Sequence, residues 1–412
     1  MLSRFLPAPG PSRTITGITL VHTMGQGLWM AISAIYATRV IGLSPTGFGL
    51  GVAAAAAVSL AMSTPTGHLA DRVGPRSVQV WSFVALGPLT AALLLVHGFT
   101  GYVVVMAVQA VAYSASRSAR MAMIAGVVPP AERVRTRAYL RATTNVSVAL
   151  GAAVAGGLLV VGTDYAYRWA VAFNAATYTT AGLLTVMLPT VPPQAARPGA
   201  RLEVLRDRPF LSLVVVDGVL SMHNQLLDVV LPLWVIDRTS APRWMAAVVL
   251  LLNTVAVVLL QVRISRGTDE PRSAARAVRH GGLFLALACV IFGFSRGVPA
   301  LEASVLLALG AVAHVMGEIR QAAGSWGVSF GLAPDHAQGQ YQGTYQMGAD
   351  LGKLVAPAVL TWLAIEHGRP GWWVMAIVFA ASGAAFPPLV AWARRRGPAL
   401  PDPVEPAAEA VR

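Results

Sequence analysis

The chain has 412 residues, of which 55% are hydrophobic and only 12% charged, and its formal net charge is +13. A soluble domain carries about a quarter charged residues, so a water-soluble enzyme of this composition would lack the polar residues to cover its surface. The basic excess is scattered over loops and tails rather than gathered on one face among aromatics, which argues against a nucleic-acid interface, and Cys289, the single cysteine, can form neither an intramolecular disulfide nor a cysteine metal cluster.

Apolar runs of about 18 residues or more read as membrane-spanning helices. Such runs recur at 15–38, 47–66, 77–97, 101–123, 139–162 and 169–189, and again at 210–235, 244–262, 280–297, 301–323, 341–365 and 371–393. The first is full-length and has no cleavage signal, so it is expected to stay as a span. The longest joint, PTVPPQAARPGARLEVLRDRP, is rich in proline and arginine and falls at the middle of the chain. The pattern predicts an all-α integral membrane protein of two six-helix halves. Residues 1–190 form the first half, 191–209 a cytoplasmic linker, 210–393 the second half, and 394–412 a disordered tail.

With the N-terminus placed in the cytosol, the inside segments hold 21 Lys and Arg residues and the outside loops hold 6. The inside count includes Arg133, Arg135 and Arg137 ahead of the fifth run and Arg141 at its start. Arg117, Arg120, Arg320 and Lys353 fall within or near the ends of runs. Positive charge on cytoplasmic loops sets orientation, so both termini are expected in the cytosol of a multi-pass protein of the cell membrane.

In the first run His22, Gln26, Trp29 and Ser33 follow at four- and three-residue steps and share a helix face. Between the second and third runs comes GHLADRVGPRS. Gly67 and Gly74 permit a tight turn there. Asp71 suits the positive N-terminal end of a neighbouring helix, and Arg72 and Arg76 suit helix C-termini or lipid headgroups. In the fourth run, Arg117 either enters the cavity or snorkels to the interface, and Arg120 is expected to snorkel. The fifth contains ALGAAVAGGLL, where Gly151, Gly156 and Gly157 offer small-residue helix packing.

The seventh run places Asp217, Ser221, Asn224, Gln225 and Asp228 on one stripe, and the tenth does the same with His314, Glu318, Gln321 and Ser325. The eleventh carries Gln342, Gln346, Asp350 and Lys353, of which the last two are expected to pair one turn apart. Ionisable residues inside a membrane are expensive and point to function. Glu318 and Asp228 lie well inside their runs with no basic residue one turn away. They are therefore the first and second candidates for proton coupling, with Asp217 the third. A carboxylate held away from water binds its proton more tightly, as a proton-coupled carrier requires.

The order Gly67, Leu69, Ala70, Asp71, Arg72, Gly74, Arg76 between the second and third of twelve runs resembles the signature loop of the major facilitator superfamily, with Pro75 in place of a usual basic residue. The fifth run is similar to the glycine-rich motif of antiporter branches, with Gly156 and Gly157 as its closing pair but Ala152 and Ala153 where Gly-Pro would stand. Gln109 and Ala110 resemble the family's fourth-helix motif, although Met106 occupies the slot of its arginine. Pro334, Gly339 and Pro357 also stand in family-like positions. The resemblance implies that the loop is cytoplasmic and holds the two halves closed when the carrier faces outward. It also implies two pseudo-symmetric six-helix bundles around a central cavity lined by spans one, four, seven and ten; three of the four polar stripes lie on these.

The branch resembled is that of drug and metabolite efflux, of multidrug type. The expected function is secondary active transport: a monomer that exports a small amphipathic organic substrate by alternating access in exchange for protons. Trp29, Trp234 and several methionines favour an amphipathic compound. Four acids (Asp217, Asp228, Glu318, Asp350) against four bases (Arg117, Arg120, Arg320, Lys353) leave the substrate's charge open. A proton-coupled importer is the alternative. A membrane-embedded enzyme is disfavoured by the lack of H-E-x-x-H, a nucleophile elbow or a P-loop, and a sensor by the lack of a signalling domain. No cofactor or metal is expected.

Overall fold

The computed structural model describes residue 7 and residues 9–193 and 202–395. Residues 194–201 of the expected linker and 396–412 of the expected tail lie outside the described residues. Arg394 and Arg395, assigned to that tail, instead end the last helix. Among the described residues there is no strand.

Twelve long helical segments follow one another. In the first half they are α1 (Pro11–Ile35, extended by a π turn Tyr36–Val40), α2 (Pro45–Val73), α3 (Pro75–Ala92), α4 (Gly98–Val127), α5 (Pro130–Val161) and α6 (Asp164–Thr185). In the second half they are α7 (Arg208–Arg238), α8 (Met245–Ile264), α9 (Pro271–Phe294), α10 (Ala300–Leu332), α11 (Gln338–Thr361, extended by a π turn Trp362–Glu366) and α12 (Arg369–Arg395). Local chemistry sets the ends. Proline at the first helical position, where its missing N–H costs nothing, opens α1, α2, α3, α5 and α9. Ser44 Oγ accepts the Gly47 N–H at 3.0 Å, and the Asp207 carboxylate accepts the Phe210 N–H at 3.1 Å. Gly74, at φ 98°, is the sole residue between α2 and α3, in a conformation that strains residues with a Cβ.

Ten of the helices are long and apolar enough to cross a membrane. The expectation of twelve such runs is not met by α3 and α6. These two pack on each other and bury polar side chains, among them Gln79 and Thr90 of α3 and Asn174 and Thr185 of α6. α7 is interrupted by a turn at Met222 and His223, followed by a π turn over Leu226–Val230.

The packing repeats with an offset of six helices. α1 packs on α5 and α6, α2 on α4, and α3 on α4 and α6. Correspondingly, α7 packs on α11 and α12, α8 on α10, and α9 on α10 and α12. The two bundles meet through α2 with α11 and, related by the same offset, α8 with α5; α4 with α11 and α10 with α5 complete the seam. Each bundle has its own core, around Phe83, Met123 and Ile124 in the first and Trp234, Phe292 and Trp372 in the second. Trp234, expected to face substrate, is instead buried there. Its indole N–H donates to Ser295 Oγ at 2.9 Å, and its ring meets Trp372 edge-on.

Candidate functional site: a polar cavity between the two halves

At the end of the bundle that carries the Gly67–Arg76 turn, α2 and α11 touch backbone to backbone. A Cβ on Gly67 would lie 2.1 Å from the Gly339 carbonyl oxygen, and one on Gly343 would lie 2.2 Å from that of Ser63. The hydroxyls of Thr64 and Thr344 are 2.9 Å apart. Asp71 caps α11: its Oδ1 accepts the Gly339 N–H at 2.6 Å and its Oδ2 the Gln340 N–H at 2.9 Å. An anionic acceptor on first-turn N–H groups gains from both the charge and the helix dipole. Residues 338–345 of α11 are all buried, Tyr341 and Tyr345 of them against Phe210 of α7. Ala70 is buried against α3 and α4, Leu69 faces outward, and Arg76 donates to the Val186 carbonyl at the foot of α6.

Deeper along the seam, Arg117 of α4 grips Asp350 of α11, with Nη1 2.9 Å from Oδ2 and Nη2 3.3 Å from Oδ1. Gln346 donates to the same carboxylate at 2.9 Å. Asp350 therefore pairs across the halves with Arg117 rather than with Lys353. Arg117 is committed to the seam and does not snorkel.

Behind this seam lies a cavity of about 320 Å³. Arg117 and Arg120 of α4 and Arg137 and Arg141 of α5 form one side. Asp217, Ser221 and Asn224 of α7 and Gln321 and Ser325 of α10 form another. Gln342, Gln346 and Lys353 of α11 close it. Asp217 is buried, and its Oδ1 accepts from Gln321 Nε2 at 2.9 Å and from the Ser325 hydroxyl. Met121, Leu140 and Trp326 supply an apolar patch.

A second cavity, of about 370 Å³, lies farther from the Gly67 end and is lined by Asp228, Asn253, His314 and Glu318 among others. Arg141 and Asn224 belong to both walls. Between the cavities Arg141 forms an ion pair with Glu318, whose Oε2 also accepts from Asn253 Nδ2 at 2.7 Å and lies 3.6 Å from His314 Nδ1. Glu318 thus has a counter-charge, contrary to the expectation of an unpaired carboxylate; it comes from another helix of the other half. Asp228 is exposed on the π turn and lines the second cavity.

Several stripe residues go elsewhere. His22 is sealed inside the first bundle, against Phe83 and Tyr178, with Nδ1 2.8 Å from the Ile18 carbonyl. Arg120 turns inward, toward His22 Nε2 at 3.3 Å, rather than outward to the interface. Gln26 bonds the Tyr113 hydroxyl at 3.0 Å, Trp29 packs on Tyr36, and Ser33 bonds the Met30 carbonyl. None of these four α1 residues lines the inner cavity. Gln225 lines neither cavity, because the turn and π turn in α7 shift the register that an ideal helix would keep. Arg320 lies over the Phe284 ring, away from the seam. Gly151 lets α5 approach α1, since a Cβ there would lie 2.2 Å from the Met24 carbonyl oxygen. Gly156 and Gly157 face open space and pack against nothing.

The reading from sequence missed Arg137 and Arg141 by counting them with a cytoplasmic loop. α5 starts at Pro130, nine residues before the predicted run, so Arg141 stands roughly 16 Å along the helix at 1.5 Å per residue. The Pro129–Pro130 pair is the signal that marks this start. His223 and Asn253 were missed as well. Both are buried beside the His314–Glu318 pair.

Residues 15–323 match the family described as the Major Facilitator Superfamily. The chain belongs to that superfamily. No curated protein matches it in sequence. Solved structures of other superfamily transporters share the fold. A bacterial homologue of the iron transporter ferroportin, in an outward-facing state, is 14% identical with a TM-score of 0.72, covering 93% of this chain and 99% of that one. The E. coli fucose:proton symporter is 14% identical with a TM-score of 0.66, covering 94% and 99%. The human organic anion transporter MFSD10 is 16% identical with a TM-score of 0.64, covering 91% and 99%. This superfamily member is accordingly a multi-pass membrane protein with the transporter fold.

Proposed function

We propose that this protein is a secondary active transporter that exports a small amphipathic organic compound in exchange for protons, working as a monomer in the cell membrane with both termini in the cytosol. The observation that carries the reading is the seam. The halves meet through Asp71 on the start of α11, the Arg117–Asp350 pair and the Arg141–Glu318 pair, and all three can break without disturbing either bundle's own core. Such contacts suit rocking of one bundle against the other around a fixed site.

With the Gly67–Arg76 turn on the cytoplasmic side, as the arginine distribution favours, the seam is closed toward the cytosol. Glu318 is the leading proton carrier, with Asp228 next and Asp217 third. Protonation of Glu318 cancels its charge and releases Arg141, which also borders the inner cavity. Proton binding thereby alters the substrate wall and the inter-half contact together. The patch of Met121, Leu140 and Trp326 beside polar groups suits an amphipathic solute.

The test is purified protein in liposomes with a pH dye inside and a panel of fluorescent amphipathic compounds. Export predicts substrate-dependent proton movement opposite to substrate movement. Co-directional movement would support import, and substrate flux without proton movement would remove the coupling. Sidedness is checked with cysteines at the exposed Glu132 and Asp237: an impermeant reagent added outside cells should label Asp237→Cys and not Glu132→Cys.

A further inference from the structure

We infer that the compound taken by the inner cavity is an organic anion, one that carries a carboxylate, sulfonate or phosphate group, and that Arg120, Arg137 and Lys353 receive that group. This rests on the carrier reading and names its substrate class.

The cavity wall carries five cations, Arg117, Arg120, Arg137, Arg141 and Lys353, and one acid, Asp217. Two of the cations are already answered: Arg117 by Asp350 and Arg141 by Glu318. The other three have no carboxylate within 4.0 Å among the described residues. His22 Nδ1 faces the Ile18 carbonyl and so carries that ring's proton, which leaves Nε2 as a neutral acceptor for Arg120. The Nε of Arg120 is buried without a partner. Arg137 lies over the Trp326 ring, 5.1 Å from its centre, an arrangement that orients the guanidinium without neutralising it.

Against these three cations stands Asp217, whose Oδ1 already accepts from Gln321 and Ser325. A neutral group leans the same way: the Gln342 amide nitrogen, on a side chain 5% exposed, has no hydrogen-bond partner. Half-buried cations and buried donors without acceptors are costly, and one ligand with several acceptor oxygens and a negative charge satisfies them together. Trp326, Met121 and Leu140 are placed for the organic skeleton, and about 320 Å³ suits a small solute. A cationic amphipath would face three positive groups.

The test compares three probes of one skeleton and different charge: naphthalenesulfonate, naphthylmethanol and naphthylmethylammonium. Each is titrated calorimetrically into the purified full-length protein in detergent. The sulfonate should bind at least about tenfold more tightly than the alcohol, with the ammonium weakest. Arg137→Gln and Lys353→Gln should each weaken the sulfonate about tenfold and leave the alcohol unchanged, and Lys353→Arg should keep sulfonate binding. If the ammonium binds as well as the sulfonate, if none of the three binds, or if both glutamine variants keep full sulfonate affinity, the anion assignment is wrong. The wild-type charge series decides even where a variant fails to fold. Sulfonate that binds in this charge-dependent way yet shows no counterflow into liposomes would refute the carrier reading and leave the anion site standing.

Discussion

Arg117 of α4 and Asp350 of α11 join the two halves of the protein by paired contacts of 2.9 and 3.3 Å, across 233 residues of sequence. Each side chain is about a quarter exposed, so solvent screens part of the attraction. Arg117 also lines the inner cavity. Separation of the pair is therefore part of any opening at the Gly67 end. Arg117→Gln should weaken the closed arrangement by roughly 1–3 kcal/mol, less than a fully buried pair would give. Spin labels at Ser77 and Glu270, both exposed at that end of opposite halves, should then report a longer distance by pulsed resonance. The exchange Arg117→Asp with Asp350→Arg should recover the short distance. An unchanged distance distribution in Arg117→Gln would show that the pair does not hold the seam.

Asp71 caps α11 through two N–H groups of its first turn. Asp71→Asn keeps the size of the side chain and removes the charge. We expect a loss of about 1–2 kcal/mol from the closed state, which is a factor of roughly 5–30 in population. Thr344 is fully buried in the seam, and the native Cys289 is buried elsewhere. A maleimide should therefore react with Thr344→Cys faster by that factor when Asp71→Asn is present, and transport should slow. Equal labelling rates with and without Asp71→Asn would reduce the turn to a tether.

Three glycines separate close approach from mere smallness. A Cβ at Gly67 meets the Gly339 backbone at 2.1 Å, where neither chain can give without moving a whole helix. Gly67→Ala should abolish the closed seam and cut transport at least tenfold while both bundles still insert. Gly151→Ala should lower thermal stability, because its Cβ meets the α1 backbone at 2.2 Å. Gly157→Ala meets nothing and should be neutral or stabilising by about 0.5–1 kcal/mol, the helix preference for alanine. Thermal unfolding in detergent orders the three. A destabilised Gly157→Ala would contradict the open space seen around it.

Glu318→Gln keeps the shape of the protonated acid but holds no exchangeable charge. Export driven by a pH gradient should be lost while substrate exchange persists. The variant also leaves Arg141 without its carboxylate; as Arg141 is 23% exposed, the cost is roughly 1–3 kcal/mol, below that of a fully buried pair broken on one side. Glu318→Gln with Arg141→Gln should recover much of that stability without recovering the pH-driven transport. Full accumulation driven by a pH gradient in Glu318→Gln would move the coupling role to Asp228 or Asp217.

Local patterns in the sequence already determined a great deal. Apolar runs marked ten of the helices as spans and proline the starts of five, because a helix in lipid must satisfy its own backbone and cover its own length with apolar side chains; α3 and α6 fall short of that apolarity. The residue order from Gly67 to Arg76 singled out the turn whose Asp71 reaches the start of α11. The periodicity of α7, α10 and α11 selected Asp217, Asn224, Gln321, Gln342 and Lys353, which do meet around one cavity. Helical spacing sorts residues by face. It does not say which face looks inward, and so the α1 stripe was misread: His22 is enclosed by Phe83 and Tyr178 of its own bundle.

Only the tertiary structure decided the partners. Arg141 and Glu318 are 177 residues apart, and Arg117 and Asp350 farther still. No local rule assigns a charge to a counter-charge on the opposite bundle. Asp350 has a lysine one turn away and pairs with Arg117 instead, because α4 and α11 are pressed together where α11 enters the seam. Arg137 and Arg141 look like loop charges in sequence and become cavity walls because α5 begins early and carries them inward. The charge of the cavity is the sum of such placements. The four acids and four bases singled out in the sequence cancel, yet the site keeps three unpaired cations against the one acid Asp217, because Arg137 and Arg141 join its wall while Asp228 lines the other cavity.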